Sequence, residues 1–555
     1  MADTVRVTCV NTNSSRDIKI GSTLEELIEV FGVKMPYLIA NAKVNNRTES
    51  LSYRVYRPKI VEFVDLSNNS AMRTYVRSLC FILAKAVDDI LPNAEMYIEH
   101  AVAKGYYFQI EADVPVGKPE LDAIRERMRE IVEADISFEQ VEEETTKVVQ
   151  LFRERGMEDK ARLLETSDFL YSRYSKLDEY VDYFYGCLTP STGYISLFDI
   201  QPYNGGYLLR VPRREKPVEL EPEIQQDKLL NVYREHLQFL KISKLGNVGD
   251  LNRAIQEDRI STVIQVAEAY QSKQIAEIAE KITRGFDDGI QVVFISGPSS
   301  SGKTTFRKRL EIQLLVNMLK PVGVSLDDYF VNRDETPLDA HGEKDYESLY
   351  ALDLELFENH MLALMRGEEI ELPFYNFVTG KREFRGNMLK MDTNSILIVE
   401  GIHGLNPELT AHIPEDKKFL VYVSALTTIS LDDHNWIPAS DNRLLRRMVR
   451  DYRYRGYSAQ QTISRWDSVR RGEDKWIFPY QENADVMFNS AMIYELAAIR
   501  RHAEPVLMQV PRTAFEYSEA YRLLKFLSYF NYINDQELPP TSLLREFLGG
   551  SSFRY

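Results

Sequence analysis

The chain has 555 residues, enough for three or four domains of about 150 residues each. Its 84 acidic and 68 basic residues give a net charge of −16, which excludes a basic nucleic-acid footprint over the whole chain and leaves only a local basic patch open. A hydrophobic content of 44% and a charged content of 27% exclude wholesale disorder. The three cysteines are widely spaced, and no run is apolar enough for a signal peptide or a membrane span, so we expect a cytoplasmic, soluble protein.

The first 66 residues have the pattern of a small α/β unit. Strand-like alternation occurs at 5–10, 37–44 and 59–64, and a helical pattern occurs at 24–31. A single helix among several strands in so short a segment predicts a β-grasp domain over 1–66.

Residues 67–215 read as a second, α+β domain. Helical spacing of apolar residues predicts helices at 72–90 and 121–134. The stretches 194–199 and 206–211 have the character of strands.

A charged, proline-rich stretch at 212–222 predicts a linker. The residues after it are helical in pattern, which predicts a helical connector over 216–285. At the other end of the chain, the tail 511–555 is expected to begin as a helix at 517–529 and to end as a loose polar segment.

Strands and helices alternate from 286 to 510. Candidate strands lie at 291–296, 322–326, 395–399 and 419–423. This alternation predicts a mostly parallel sheet with helices on both faces, so the fold class of the chain is multidomain α/β.

The strongest motif is GPSSSGKT, a complete GxxxxGK[ST] between a strand and a helix. Its glycines let successive backbone N–H groups point at phosphate oxygens, and the helix that follows adds its positive end. Lys303 supplies a charge for the β- and γ-phosphates of ATP, and Thr304 offers a hydroxyl to Mg²⁺. The predicted ATP-binding residues of the loop are Gly297, Pro298, Ser299, Ser300, Ser301, Gly302, Lys303, Thr304 and Thr305.

Carboxylates follow two of the predicted strands. Glu400 ends one strand, and Asp327 and Asp328 end another. The carboxyl ends of parallel strands are where ligands bind in open α/β sheets. One carboxylate can organise Mg²⁺, and another can accept a proton from an attacking hydroxyl. The alternative is that an aspartate here only caps the next segment.

Arginines are concentrated downstream of the loop. A mobile arginine lid would stabilise the charge that spreads over a transferring phosphoryl group. The alternative is a solvated basic face of a helix. The arginines in question are Arg443, Arg446, Arg447, Arg450, Arg453, Arg455, Arg470 and Arg471.

The order of these motifs resembles the uridine kinase and phosphoribulokinase family of P-loop kinases, from Gly297 to about Glu495. After the loop, the matching stretches are SLDDYF (325–330), LPFYNFVTGKRE (372–383), ILIVEGIHGL (396–405), DNRLLRRMVRDYRYRGY (441–457) and ENADVMFNS (482–490).

The resemblance implies a role for several residues. Asp327 corresponds to the catalytic base toward the nucleoside 5′-hydroxyl, and Glu400 joins Thr304 as a metal-side group. Tyr375 corresponds to the tyrosine beside the nucleoside. Arg447, Arg450 and Arg455 match lid arginines; with Lys303, Arg447 and Arg450 are expected to act in catalysis, Arg447 also to touch substrate, and Arg455 to bind ATP.

Four stretches depart from the family pattern, one of them being residues 327–330, which read DDYF where the family has DSFY. Gly380 stands where uridine kinases have a histidine that contacts the base. Glu347 stands where they have an aspartate that holds ribose, and we expect it to bind substrate in that place. Tyr457 replaces a further lid arginine. The phosphate chemistry is therefore expected to be kept and the recognition of the base to be altered.

The N-terminal half resembles a different family. Residues 1–66 are similar to a TGS domain, and 67–211 are similar to the editing domain of threonyl-tRNA synthetase, through MYIEHAVAKGYYFQIE (96–111) and GCLTPSTGYISLF (186–198). Arg77, Phe81, Phe184 and Leu188 stand where that domain has its histidines and cysteine, and none of them can bind zinc as those would. The resemblance therefore implies an inactive module kept to bind tRNA or a regulator.

Three functions remain open at this stage. The first is an ATP-dependent nucleoside kinase, the second is a tRNA-binding regulatory ATPase, and the third is a sugar-phosphate kinase of the phosphoribulokinase type. The intact Asp327 and Glu400 favour a kinase. His434 and Trp436, in the insertion 431–442, either touch substrate or belong to a packed loop. We expect no membrane partner, and a homo-oligomer is one option for the assembly.

Overall fold

In the computed structural model, which describes residues 3–339 and 342–554, the chain begins with a five-stranded mixed sheet and one helix packed on it. Thr23 and Glu26 cap that helix reciprocally, and its apolar face is buried against the sheet. The predicted β-grasp arrangement is confirmed. The elements are β1 (Thr4–Cys9), β2 (Ser14–Lys19), α1 (Leu24–Phe31), β3 (Ile39–Val44), β4 (Arg47–Ser50) and β5 (Lys59–Asp65), in the sheet order β2-β1-β5-β3-β4.

The second unit is built around a long buried helix and two antiparallel sheets, ordered β11-β12-β7-β6 and β10-β9-β8. Its elements are α2 (Asn69–Ile90), β6 (Glu95–Val102), β7 (Gly105–Glu111), α3 (Lys118–Glu133), β8 (Glu139–Glu144), α4 (Thr145–Glu154), α5 (Glu158–Glu165), β9 (Tyr171–Leu177), β10 (Tyr180–Asp182), β11 (Asp199–Tyr203), β12 (Gly206–Arg210), β13 (Pro212–Arg213) and β14 (Lys216–Leu220).

Two sequence expectations for this unit are wrong. The predicted strand at 194–199 is a short 3₁₀ turn followed by extended chain, because the hydroxyl of Thr192 bonds the backbone of Ile131 and Ile136 and holds the turn. The predicted linker at 212–222 is the β13–β14 hairpin. Its two prolines fit there because both strands are edge strands.

Three helices follow, as the sequence predicts: α6 (Asp227–Ser243), α7 (Val248–Gln256) and α8 (Ile260–Asp287). The last of them packs along the helix that follows the phosphate-binding loop, and Arg309 of that helix donates to Gln271 and Ser272. None of the helices in the described ranges is long and apolar enough to cross a membrane.

The P-loop unit contains a five-stranded parallel sheet in the order β16-β19-β15-β20-β21, with a separate antiparallel hairpin, β17–β18. All four predicted strands belong to the sheet, so the fold class is confirmed; β21 and the hairpin were not predicted. The elements are β15 (Val292–Ser296), α9 (Lys303–Val316), β16 (Lys320–Ser325), α10 (Leu354–Met365), β17 (Ile370–Asn376), β18 (Lys381–Leu389), β19 (Ser395–Glu400), β20 (Lys418–Ser424), α11 (Ala439–Tyr454), α12 (Ala459–Trp476), β21 (Val486–Asn489) and α13 (Glu495–Leu507).

The C-terminal segment forms α14 (Tyr517–Leu527) and a short helix, α15 (Arg545–Leu548). The expectation of a loose polar end is wrong. Leu543, Leu544, Phe547 and Leu548 are all buried, at a helical spacing of three and four residues. Leu543 and Phe547 pack into the core between the parallel sheet and α9, and Leu544 and Leu548 pack into the core that contains α11, α13 and α14.

The second unit and the P-loop unit share one hydrophobic core, which includes α4, α5, α11, α13 and α14. The predicted domain division at 66, 215, 285 and 510 therefore remains a proposal, and the β13–β14 hairpin crosses its boundary at 215. At this junction Lys160 of α5 is buried between Asp182 of β10 and Asp432 of the insertion, at 3.2 and 3.0 Å. Burial alone would lower the pKa of Lys160, but the aspartates outweigh it and raise the pKa well above its ordinary value.

We predict that Lys160→Met will lower the free energy of unfolding by about 3–5 kcal/mol, because two buried carboxylates lose their cation. Urea denaturation measures the loss. Lys147→Met, whose side chain is 64% exposed, is the control and should change stability by less than about 0.5 kcal/mol. Similar losses in both variants would contradict the assigned role of Lys160.

Candidate functional site

The phosphate-binding loop connects β15 to α9, and its two glycines have no room for side chains. A Cβ on Gly297 would lie 2.0 Å from the carbonyl oxygen of Val423. Gly302 has φ +84°, and a Cβ there would lie 2.5 Å from the Leu543 side chain. The sequence of the loop is therefore dictated by close packing as well as by phosphate binding.

A buried ion pair between α11 and α12 holds the backbone of the phosphate-binding loop. Arg443 of α11 donates to the carbonyl oxygen of Ser299 at 3.0 Å and to Glu473 of α12 at 2.8 Å. Glu473 also accepts from the N–H of Ser299 at 3.1 Å and from Arg470 at 3.0 Å. Burial would raise the pKa of Glu473, but Arg443 and Arg470 lower it, so this carboxylate stays charged.

A second buried pair acts one residue further along the loop. Arg446 donates to the carbonyl oxygen of Ser300 at 3.3 Å and to Glu495 of α13 at 2.7 Å. It also donates to the carbonyl oxygen of Ser490 at 3.0 Å. Two arginines of the predicted lid series therefore support the loop backbone instead of facing ligand, a distinction that the sequence pattern does not make.

Lys303 lies inside the loop, where its ammonium donates to the carbonyl oxygen of Pro298 at 3.1 Å. Burial lowers its pKa, while Glu400 and Asp327 act in the opposite direction. The hydroxyls of Ser300 and Ser301 are buried and have no hydrogen-bond partner among the residues that the structure describes. Buried donors without partners are rare, and phosphate oxygens would satisfy them. The predicted ATP-binding residues of the loop therefore fit a polyphosphate.

Thr304 and Glu400 face each other beside the loop. The Thr304 hydroxyl lies 3.3 Å from both carboxylate oxygens of Glu400. Burial raises the pKa of Glu400, and Lys303 and Arg307 lower it. A hydroxyl and a carboxylate are hard oxygen ligands of the kind that Mg²⁺ takes when phosphates complete its coordination, so the pair fits that ion.

The two aspartates after β16 have different positions. Asp328 accepts from the N–H of Tyr375 at 3.2 Å and so ties the β17–β18 hairpin to the sheet. The turn itself is capped by Ser325. No ion pair within 4 Å holds the Asp327 carboxylate in the described ranges. Asp327 is open to the cleft; burial by the surrounding protein raises its pKa, and Lys303 and Arg455 lower it. Ser325 therefore caps the turn and Asp328 anchors the hairpin, so neither of these structural roles falls to the Asp327 carboxylate.

The three predicted lid arginines converge on a residue that the sequence analysis missed. Asp451 of α11 lies 3.4 Å from Arg447, 3.2 Å from Arg450 and 3.5 Å from Arg455. Arg447 also donates to the Ser299 hydroxyl at 2.8 Å. Asp451 lies four residues from Arg447 and four from Arg455, a helical spacing that was visible in the sequence.

Glu347 is packed against α12. A Cβ on Gly472 would lie 2.3 Å from the Glu347 Cβ, so the glycine makes room for it. The pKa of Glu347 is raised to about 7, mainly by burial; Arg447 opposes this rise and Glu473 adds to it. A carboxylate kept in an unfavourable environment is typical of a functional site.

Tyr375 is buried in an aromatic group with Phe330 and Phe377, at ring-centroid distances of 5.5 and 5.1 Å. Gly380, which replaces the expected histidine, has φ +69°, and a Cβ there would lie 2.7 Å from Nε of Arg333. Arg333 in turn lies beside the Tyr375 hydroxyl and lowers its pKa against the effect of burial. The structure therefore puts a cation where a nucleobase contact was expected.

The C-terminal segment contacts the start of α9, directly after the phosphate-binding loop, and one of the arginines that support the loop. Glu546 accepts from the N–H of Thr305 at 3.2 Å and from its hydroxyl at 2.7 Å. Arg446 lies over the ring of Phe547 at 5.1 Å. The apolar spacing around α15 was the signal that could have revealed this contact.

His434 and Trp436 lie far from these groups, in the packed junction with the second unit. His434 bonds Asp182 at 2.6 Å, and Trp436 packs on Tyr106 with 4.5 Å between ring centroids. The structure thus favours the packed-loop alternative for His434, whereas Trp436 also lines a cavity next to this junction.

The positions that correspond to the zinc ligands of an editing domain hold packed apolar side chains. The rings of Phe81 and Phe184 lie 5.3 Å apart, and Leu188 belongs to the same core. Arg77, the fourth position, is the exception: it lies one turn before Phe81 on α2 and donates to the carbonyl oxygen of Cys187.

Residues 292–497 match the family described as Phosphoribulokinase / Uridine kinase family. This region is similar to the P-loop kinases of that family. Over 198 residues the chain is 28% identical to a uridine kinase of Halalkalibacterium halodurans, a match that covers 35% of this chain and 84% of that kinase. The solved structure of a possible uridine kinase from Bacillus stearothermophilus is 21% identical, covering 36% of this chain and 89% of that one at a TM-score of 0.25.

The N-terminal half is similar to threonine–tRNA ligases. The identity is 28% over 196 residues with the ligase of Geobacter sp. (strain M21), which covers 35% of this chain. The chain spans only 30% of that ligase's length. The likeness supports the interpretation of the N-terminal half as a synthetase-like module.

In the P-loop unit, we predict different effects for Arg443 and Arg447, which lie about one turn apart on α11. Arg443→Met should lower the free energy of unfolding by about 3 kcal/mol, because it removes a cation from a buried pair. Arg447→Met should change stability by under about 1 kcal/mol and lower turnover by about 10²-fold, because its side chain faces the cleft. Urea denaturation and steady-state kinetics measure both. Equal destabilisation by the two variants would show that Arg447 is structural.

Glu347 gives a pH-dependent prediction. Its folded pKa of about 7 exceeds the ordinary value of 4.5, so the folded state binds more protons between these pH values and stability falls as pH rises through them. Glu347→Gln cannot titrate. We therefore expect the variant to melt at a higher temperature than the parent at pH 8, with the difference shrinking toward pH 4. The exposed Glu355→Gln is the control. A gain that is the same at every pH would contradict the assignment.

Proposed function

We propose that the protein transfers the γ-phosphate of ATP to the 5′-hydroxyl of a ribonucleoside. The observation that carries this proposal is the position of Asp327, an unpaired carboxylate in the cleft between the phosphate loop and the Tyr375 group. A protein that only bound ATP would have no need of a free carboxylate there.

In the proposed reaction, Asp327 accepts the proton of the acceptor hydroxyl as its oxygen attacks the γ-phosphorus. The bond between the γ-phosphorus and the β,γ-bridging oxygen breaks, and ADP leaves. Lys303 stabilises the β- and γ-phosphates, and Arg447 and Arg450 stabilise the charge on the transferring group. Arg455 is expected to contact ATP from the end of α11.

Thr304 and Glu400 are the residues that would hold Mg²⁺, which neutralises phosphate charge when bound. Glu347 and Tyr375 are proposed to hold the acceptor on the other side of the cleft. A carboxylate at position 347 can accept hydrogen bonds from sugar hydroxyls, one methylene further out than an aspartate would.

A sugar phosphate is the second candidate acceptor. The observation in its favour is Arg333, whose guanidinium lies against Gly380 and beside Tyr375. An arginine is well suited to a phosphate group and has no obvious partner on an uncharged nucleobase.

The test is product detection by mass spectrometry. The purified protein is mixed with Mg-ATP and each common ribonucleoside separately, and with ribulose 5-phosphate as a further acceptor. A nucleoside 5′-monophosphate establishes the first proposal, and phosphorylation of the sugar phosphate alone establishes the second. Bound ATP without any phosphorylated product would leave a regulatory ATPase as the better description.

We predict that Asp327→Asn will lower turnover by about 10²–10⁴-fold while leaving ATP affinity nearly unchanged, because the amide cannot accept the proton. The parent enzyme should lose activity as pH falls, starting above the ordinary pKa of an aspartate, because burial raises the pKa of Asp327. Asp416→Asn, at an exposed residue, is the matched control. Activity within a few-fold of the parent would show that another group is the base.

A further inference from the structure

A second cavity lies between the synthetase-like unit and the kinase domain. Its volume is about 680 Å³, and its walls come from α2, α12, α14 and the insertion that begins at residue 431. None of the loop residues, Asp327, Glu400, Glu347 or Tyr375 lines it. It is therefore separate from the kinase site.

The cavity is positively charged in a chain whose net charge is −16. Seven basic and four acidic side chains line it. Two of the four acidic side chains are already paired: Glu519 with Arg73 at 2.9 Å, and Asp441 with Arg522 at 2.7 Å.

Arg77 is the cation in this cavity that stands out. Its guanidinium lies directly over Gly186, where a Cβ would come within 2.5 Å of it, and Gly186 has φ +113°. It donates to the carbonyl oxygen of Cys187 at 3.0 Å, but no carboxylate lies within 4 Å of it in the parts of the chain that the structure describes.

Burial, together with the neighbouring charge of Arg73, lowers the pKa of Arg77 to about 10, so the group is still cationic at neutral pH. A buried charge without a counter-charge is costly, and an anion in the cavity would remove that cost.

Flat aromatic surfaces line the same space. Trp436 and Tyr106 form one wall, with 4.5 Å between their ring centroids. Trp466 and Phe515 contribute from α12 and from the segment before α14. Aromatic faces beside an arginine cluster suit a ligand that has both a planar ring and an anionic group.

We propose that this cavity binds a small anionic ligand of nucleotide size, with Arg77 holding its phosphate and Trp436 and Tyr106 contacting its ring. A volume of this size is within the range of small-molecule sites. The site is composite: the second unit supplies Arg77, and the kinase domain supplies Trp436.

The experiment uses the full-length protein with its phosphate loop saturated by a non-hydrolysable ATP analogue. AMP, GMP, CMP, UMP and inorganic pyrophosphate are then titrated separately by calorimetry. Two of the three tryptophans line the cavity, so quenching of tryptophan fluorescence is an independent readout. We expect at least one nucleotide to bind more tightly than pyrophosphate.

Arg77→Met should weaken that binding at least about tenfold, as expected for the loss of a charge-assisted hydrogen bond, without changing the affinity for the ATP analogue. Arg471→Met, at an exposed residue on the cavity rim, is a second variant that should fold normally and weaken binding by a smaller factor. Arg129→Met, on the exposed face of α3, is the matched control.

The proposal is overturned if no probe shows a binding event that Arg77→Met and Arg471→Met weaken. It is also overturned if these variants weaken only the binding of tRNA, because the site would then recognise a nucleic acid instead of a small molecule.

Discussion

The function of this protein depends on keeping one short loop of backbone in a fixed shape before any phosphate arrives. The loop contains small residues and cannot hold its own conformation. Arg443 and Arg446 fix it by donating to the carbonyls of Ser299 and Ser300, and each arginine is neutralised by a buried glutamate. Such pairs contribute little net stability, but they permit few alternative arrangements, and that property is what a preorganised phosphate site requires.

Helix α11 both supports the phosphate-binding loop and supplies cations to the cleft, because its arginines lie on different sides of the helix. Successive arginines of α11 point in different directions: Arg443 and Arg446 are buried against the loop, whereas Arg447 and Arg450 reach the cleft. The buried arginines have dedicated glutamates. The cleft-facing ones share Asp451, so three cations have one anion between them. This shortage of negative charge leaves a positive surface available to phosphate oxygens.

The sequence predicted the parallel sheet because its strands are continuous apolar runs, and it predicted the phosphate loop because strand, glycines and helix are adjacent. The partners of that loop were not predictable in the same way. Glu473 follows Ser299 by 174 residues, and only the folded chain brings them together. The C-terminal segment was misjudged because polar residues surround its four buried apolar ones. The site residues Asp327, Lys303, Glu400 and Thr304 meet at one sheet edge, and their catalytic roles stay predictions.

Helix α12 contributes residues both to the composite cavity and to the surroundings of the phosphate-binding loop. Trp466 and Arg470 face the composite cavity, Glu473 bonds the phosphate loop, and Gly472 accommodates Glu347. Arg470 is both a wall of the cavity and an ion-pair partner of Glu473, at 3.0 Å. An anion in the cavity would compete for Arg470 and leave Glu473 with Arg443 as its main counter-charge. Because Glu473 also holds the N–H of Ser299, a change in that balance acts directly on the loop that binds phosphate. Coupling between the two sites therefore needs no large motion, only a change of partner along one helical turn.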